Sequence, residues 1–141
     1  MTIKADTNLR RLPERGSKDF ELACSIIDEA RICHVGCTLD EQPYVIPMAL
    51  GREDDQLLLH GSVVSRLMNN LAGGLPCCVT VTHLDGMVLA RSAFHSSMNY
   101  RSLMVFGQAV EVSDPEAKAL SLIHISEPTR QPATSRMPSS A

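Results

Sequence analysis

The sequence predicts a mainly β protein, a closed or nearly closed β-barrel carrying a few short helices. Three observations lead there. Short apolar or alternating runs recur at 32–38, 44–50, 56–60, 75–82 and 102–112, which is the spacing of strands bounded by turns. The connectors are small and rich in Gly, Asp, Asn and Ser, and the helical stretches are minor. The length of 141 residues, with 44% hydrophobic and 21% charged residues, fits one soluble domain.

Residues 1–16 read as a polar N-terminal arm ending in Pro13, Arg15 and Gly16. From Ser17, an N-cap candidate, the residues Phe20, Ala23, Cys24, Ile27 and Ala30 recur at helical spacing, with Asp19 and Glu21 suiting the helix dipole. Ile32–Thr38 is a strand, Asp40, Glu41 and Gln42 form a turn, and Tyr44–Leu50 is a second strand containing Pro47, which has no ladder donor. A polar turn at 51–55 leads to a third strand, Gln56–His60.

Gly61 and Ser62 are expected to open a short helix with Val64, Leu67, Met68 and Leu71 on its apolar side, closed by Gly73 and Gly74. Leu75–Thr82 is the next strand, followed by a turn at 83–86, an apolar run to Phe94, and a polar loop at 95–99. Ser102–Val112 is a long strand, and Ser113, Asp114 and Pro115 make a helix start. The expected core domain spans 17–120. Beyond Leu120, prolines 128, 132 and 138 among many Ser and Thr residues predict a disordered tail over 121–141. Its composition also fits sequence foreign to the natural gene.

Thirteen basic against sixteen acidic residues, for a net charge of −3, argue against nucleic acid as the main partner. No apolar run reaches the ~18 residues of a membrane helix. Five cysteines without a regular framework, and no apolar leader, predict reduced thiols in the cytoplasm. Cys33, His34 and Cys37 lie close together, but C-x-x-C is absent and adjacent Cys77 and Cys78 point to opposite strand faces, so no metal site is expected.

Two polar clusters stand at strand ends. In the first, a strand finishes at His60-Gly61-Ser62 and a helix follows, with Ser65 and Arg66 close by. Unpaired backbone N–H groups, two hydroxyls and a guanidinium there suit a phosphate monoester. The plainer alternative is an ordinary Ser cap with Arg66 on a solvated helix face. The second cluster, Ser96, Ser97, Asn99, Tyr100, Arg101 and Ser102, precedes an apolar strand. Arg101 could offer a bidentate anion contact, or the cluster could simply satisfy a turn. His34, His83 and His95 read as structural or exposed. Patterns of the G-x-S-x-G, P-loop, G-x-G-x-x-G and H-E-x-x-H types are absent, against the corresponding hydrolase, nucleotide-triphosphatase, dinucleotide and zinc-protease readings.

The runs Val35-Gly36, Gln42-Pro43-Tyr44-Val45-Ile46-Pro47, Leu59-His60-Gly61-Ser62, Ser65-Arg66, Asn99-Tyr100-Arg101-Ser102 and Val105-Phe106-Gly107 follow one another in order. This chain thereby resembles the pyridoxamine 5′-phosphate oxidase-related, flavin-nucleotide-binding family, in particular the branch that includes nitroimidazole-resistance proteins. The resemblance covers about Leu12 to Leu120.

It implies an FMN-binding split barrel of Greek-key-like order and a homodimer with FMN at the subunit interface. Val45, Ile46, Pro47 and Met48 would lie along the isoalloxazine ring. Gly61, Ser62, Ser65 and Arg66 would hold the phosphate, Arg101 and Ser102 would complete the pocket from the partner chain, and His60 would stand near ring or substrate. The family continues past Leu120 with further barrel and dimer segments that 121–141 do not match, which implies a C-terminally truncated barrel. No basic set for a second phosphate is visible, which argues against turnover of pyridoxamine phosphate itself. The expected function is a flavin-dependent oxidoreductase acting on a small molecule. A non-catalytic flavin-binding or sensing module and a haem-binding split barrel are the alternatives.

Overall fold

A computed structural model of the chain describes residues 13–61, 64–111, 120–124 and 130–136. Helix α1 (Phe20–Glu29) buries Ala23, Cys24, Ile26 and Ile27. Its cap is Asp19, which accepts from the Glu21 and Leu22 N–H groups at 2.9 and 3.5 Å. Ser17, the cap expected from the sequence, stands two residues outside and accepts from the Asp19 N–H at 3.1 Å. A carboxylate satisfies the same donors and also gains from the positive end of the helix dipole.

Strands β1 (Ile32–Leu39), β2 (Gln42–Glu53) and β3 (Gln56–His60) form the expected meander. Asp40 and Glu41 join β1 to β2 with φ of 50° and 65°, the left-handed pair that a two-residue hairpin turn requires. Helix α2 (Arg66–Ala72) buries Leu67, Met68 and Leu71. It starts later than expected: Ser65 is its cap, and Val64 is 87% exposed rather than on the apolar side. Gly61 ends β3 directly against this helix, since an added Cβ would lie 2.6 Å from the Met68 sulfur.

Strands β4 (Pro76–Val88) and β5 (Ser97–Glu111) form one long hairpin paired from Pro76–Gln108 to Val88–Ser97. The turn expected at 83–86 is a register shift between Leu84 and Gly86 inside β4. A bulge absorbs Asp85 there without ending the ladder. Reversal comes after Val88, through a 3-10 turn at Ala93–His95.

The tail also departs from expectation, because β6 (Leu120–His124) and β7 (Arg130–Arg136) are strands. Composition weighs the segment as a whole, whereas the edges of β3 and β5 offer backbone groups to the mostly apolar Leu120–His124 and the polar Arg130–Arg136 alike. The helix start at 113–115, the arm residues 1–12 and the remaining tail lie outside the described residues.

The strands close in the order β4–β1–β2–β3–β6–β5, with β5 returning to β4; β7 lies on β5 over 99–105. This is the expected mainly β barrel, and it is split in one place. β1 pairs along β2 from Gln42 to Ala49, but β3 joins the other edge only from Ala49 onward. Among the described residues the Gln42–Met48 half of β2 therefore has one paired edge. Pro47 sits in this half, where a missing N–H donor is tolerated.

The interior is filled by alternate residues of β1, β3, β4 and β5, including Val35, Leu57, Leu59, Val79, Leu103 and Val105, with Ile26 and Leu71 from the helices. Each such side chain contributes about 1.5–3 kcal/mol on burial. Cys33, Cys37 and Cys77 belong to this core. Burial pushes the Cys33 thiol up to about 11 and that of Cys77 up to about 12. They act as small apolar residues and are poor nucleophiles at neutral pH.

Candidate functional site

The open half of β2 organises the site. Strand alternation turns Met48 into the core, leaves Ile46 half-buried and places Val45 and Pro47 on the outer surface, Val45 at 70% exposure. His60, at the end of β3, pairs with Ala49 and is exposed. From there the chain reaches Ser65 and Arg66, and the Arg66 guanidinium touches Asp40 at the β1–β2 turn. The route from His60 to Arg66 thus starts at one end of the open β2 edge and finishes at the other. Val45, Ile46, Pro47 and Met48 lie along this half of β2, with His60 and Gly61 at its Ala49 end and Ser65 and Arg66 reached at its Asp40 end. Ser62 lies outside the described residues.

Each group has a definite local reason for its position. The Ser65 hydroxyl accepts from the Met68 N–H at 3.4 Å, capping α2. Arg66, the first residue of that helix, points to solvent with 71% of its side chain exposed. Its one carboxylate partner, Asp40, is 72% exposed. A contact so open to water is weak and exchangeable. Among the described residues no strand pairs with this edge of β2, and its backbone N–H and C=O groups suit the polar rim of a flat ligand.

The register extends this surface. Pro47, His34, Thr80 and Met104 stand side by side across β2, β1, β4 and β5, and Val45, Gly36, Cys78 and Phe106 form the neighbouring row. Neither row contains Asp, Glu, Lys or Arg. An uncharged face beside one exposed guanidinium suits a ligand with a planar apolar part and an anionic tail. Reading along the sequence missed His34, Thr80 and Met104, because only strand pairing places His34 next to Pro47 and continues the row through Thr80 to Met104 on β5.

Arg101 and Ser102 lie on β5, away from the open half of β2 within the chain. Ser102 stands on β5, three ladders from β2, or roughly 14 Å at ordinary strand spacing. Arg101 is 26% exposed and held by two carboxylates. It donates to Glu29 at 2.8 and 3.1 Å and to Asp85 at 2.9 and 3.0 Å. The hydrogen bonds from Arg101 hold the Glu29 and Asp85 carboxyls below their ordinary range. The expected anion contact is thus a brace joining the end of α1 to the base of the β4–β5 hairpin. His83, beside it, bonds through Nε2 to the Ile26 carbonyl at 2.8 Å.

Known proteins match this architecture. A family model described as pyridoxamine 5′-phosphate oxidase matches residues 19–141. The flavocytochrome Anf3 of Azotobacter vinelandii is 30% identical, with a TM-score of 0.79 over 94% of this chain and 74% of that one. The FAD and haem binding protein of Mycobacterium smegmatis is 28% identical, with a TM-score of 0.78 over 87% of this chain and 74% of that one. A putative 5-nitroimidazole antibiotic resistance protein of Bacteroides thetaiotaomicron shares the fold at 22% identity and a TM-score of 0.60, over 86% of this chain and 82% of that one. A search of curated sequences gives no match. The order of motifs along β2, the His60–Arg66 passage and β5 reflects common descent: the chain belongs to the pyridoxamine 5′-phosphate oxidase family.

Proposed function

We propose that this protein binds a flavin nucleotide along the open edge of β2 and serves as a flavin-dependent oxidoreductase for a small molecule. The observation that carries this reading is the juxtaposition of that edge with Arg66. Val45 and Pro47 would flank the isoalloxazine ring on their uncharged face, with Ile46 and Met48 on the inner side of the strand beneath them. Gly61, Ser62, Ser65 and Arg66 would hold the phosphate, and His60 would stand close to ring or substrate. The flavin, when bound, supplies hydride and electron transfer, while the chain supplies binding, orientation and polarity.

Within this reading FMN is the nucleotide, its one terminal phosphate matched to one exposed guanidinium. FAD is named for the mycobacterial relative, so the test must separate the two. The purified protein should be yellow and release FMN on heating, identified by chromatography. FAD in its place would correct the nucleotide, and a colourless protein that takes up neither would overturn the reading. A second reading, flavin together with haem, is favoured by the names of the two relatives above. Exposed His34 and His60 are the axial candidates, and a Soret band would select it.

A homodimer belongs to the same proposal. Support comes from the uncharged β2–β1–β4–β5 face and from exposed Leu84, Met87, Leu89 and Phe94 on the adjoining hairpin. A partner's Ser102 could reach a β2 edge that the chain's own Ser102 cannot. Sedimentation at micromolar concentration should report twice the chain mass. Placement in the cytoplasm accords with five cysteines of which none forms a disulfide, and no helix among the described residues is long and apolar enough to cross a membrane.

A further inference from the structure

We propose that Asp40 competes with a ligand phosphate for the Arg66 guanidinium and so sets the affinity and the phosphate preference of that subsite. The inference rests on the reading of Arg66 as the phosphate contact. Arg66 Nη2 donates to the Asp40 carboxylate, and both side chains are more than two-thirds exposed. Such a pair contributes little to the fold, yet it takes a guanidinium donor and sets a negative charge where a phosphate would approach. Displacement therefore has a cost in affinity and almost none in stability.

The turn does not explain the charge. Asp40 sits at φ 50°, a conformation that Asn adopts at least as readily as Asp. A carboxylate in place of the neutral amide leaves the hairpin no better off and places an anion against the one exposed guanidinium of the site. Glu41, also at positive φ, adds a second acidic group to the turn. A dianionic phosphate arriving at Arg66 must displace Asp40 or accept its repulsion, whereas a ligand without phosphate is indifferent to it.

The test is a double-mutant cycle on the full chain, with FMN and riboflavin as probes and flavin fluorescence as readout. Asp40→Asn should bind FMN about two- to fivefold more tightly, the range an exposed ion pair supports. Riboflavin affinity and the melting temperature should stay as in the wild type. The gain should vanish when Arg66→Ala is also present, because competition needs the guanidinium. Arg66→Ala losing FMN affinity while Asp40→Asn changes nothing would overturn this proposal alone. The same holds if the gain persists without Arg66 or extends equally to riboflavin. Arg66→Ala leaving FMN affinity intact, or a wild type that binds no FMN, would overturn the phosphate reading and this proposal with it.

Discussion

Arg66 and Arg101 carry the same guanidinium and were expected to do similar work, yet the fold employs them in opposite ways. Arg66 begins a short helix at the surface and meets one carboxylate that is itself in solvent. Arg101 lies on a long strand between a helix end and a bulged neighbour, and two carboxylates take most of its donors. An ion pair is exchangeable when water reaches both partners and structural when several elements converge on it. Exposure and the number of partners, more than residue type, separate a ligand contact from a brace.

The largest effect expected from this contrast is on binding. Arg66→Ala should weaken FMN roughly tenfold to a hundredfold, the equivalent of a lost charge-assisted hydrogen bond. Riboflavin affinity and melting temperature should hardly move. Equal losses for both ligands would show that Arg66 acts through folding or ring contacts, and the contrast would collapse.

Arg101→Ala should do the reverse. It leaves Glu29 and Asp85 facing each other without their cation, so the melting temperature should fall by a few degrees while the ratio of FMN to riboflavin affinity stays constant. A selective loss of FMN would return Arg101 to the ligand.

Acid sharpens the same point. Hydrogen bonds from Arg101 depress the Glu29 and Asp85 carboxyls, so their contribution is present above the ordinary carboxylate range. It is lost as pH falls through the depressed values. Urea midpoints measured from pH 7 down to pH 3 should therefore drop more steeply for wild type than for Arg101→Ala. Asp28, lowered by its hydrogen bond to Arg52, titrates in both proteins and is the internal control. Parallel curves would mean that the brace carries no stability.

The smallest effect belongs to the cap beside Arg66. Ser65→Ala removes a bond of 3.4 Å, at the weak end of such contacts, and should cost about 0.5 kcal/mol by chemical denaturation. A much larger cost would mean that α2 holds the barrel together.

Much of the barrel was legible in the sequence because local chemistry is sufficient there. The three-strand meander follows from alternation, the β1–β2 turn from Asp40-Glu41, and the buried faces of α1 and α2 from helical spacing. The β4 bulge was not legible: Asp85-Gly86 is good turn chemistry, and only pairing with β5 makes it an interruption in a continuous strand. At the site, the His60–Arg66 passage was visible as a strand end followed by a capped helix. The row from Pro47 through His34 and Thr80 to Met104 was not, since it depends on register across four strands.

The sequence by itself determined the fold class, the family and the candidate groups, because periodicity, turn residues and motif order are properties of neighbours along the chain. The tertiary structure decided which arginine is open to solvent. Glu29 and Asp85 lie 72 and 16 residues from Arg101, and Asp40 lies 26 from Arg66. A charge's availability depends on what surrounds it in space, and strand pairing and helix placement bring distant carboxylates within reach of one guanidinium and leave the other largely to water.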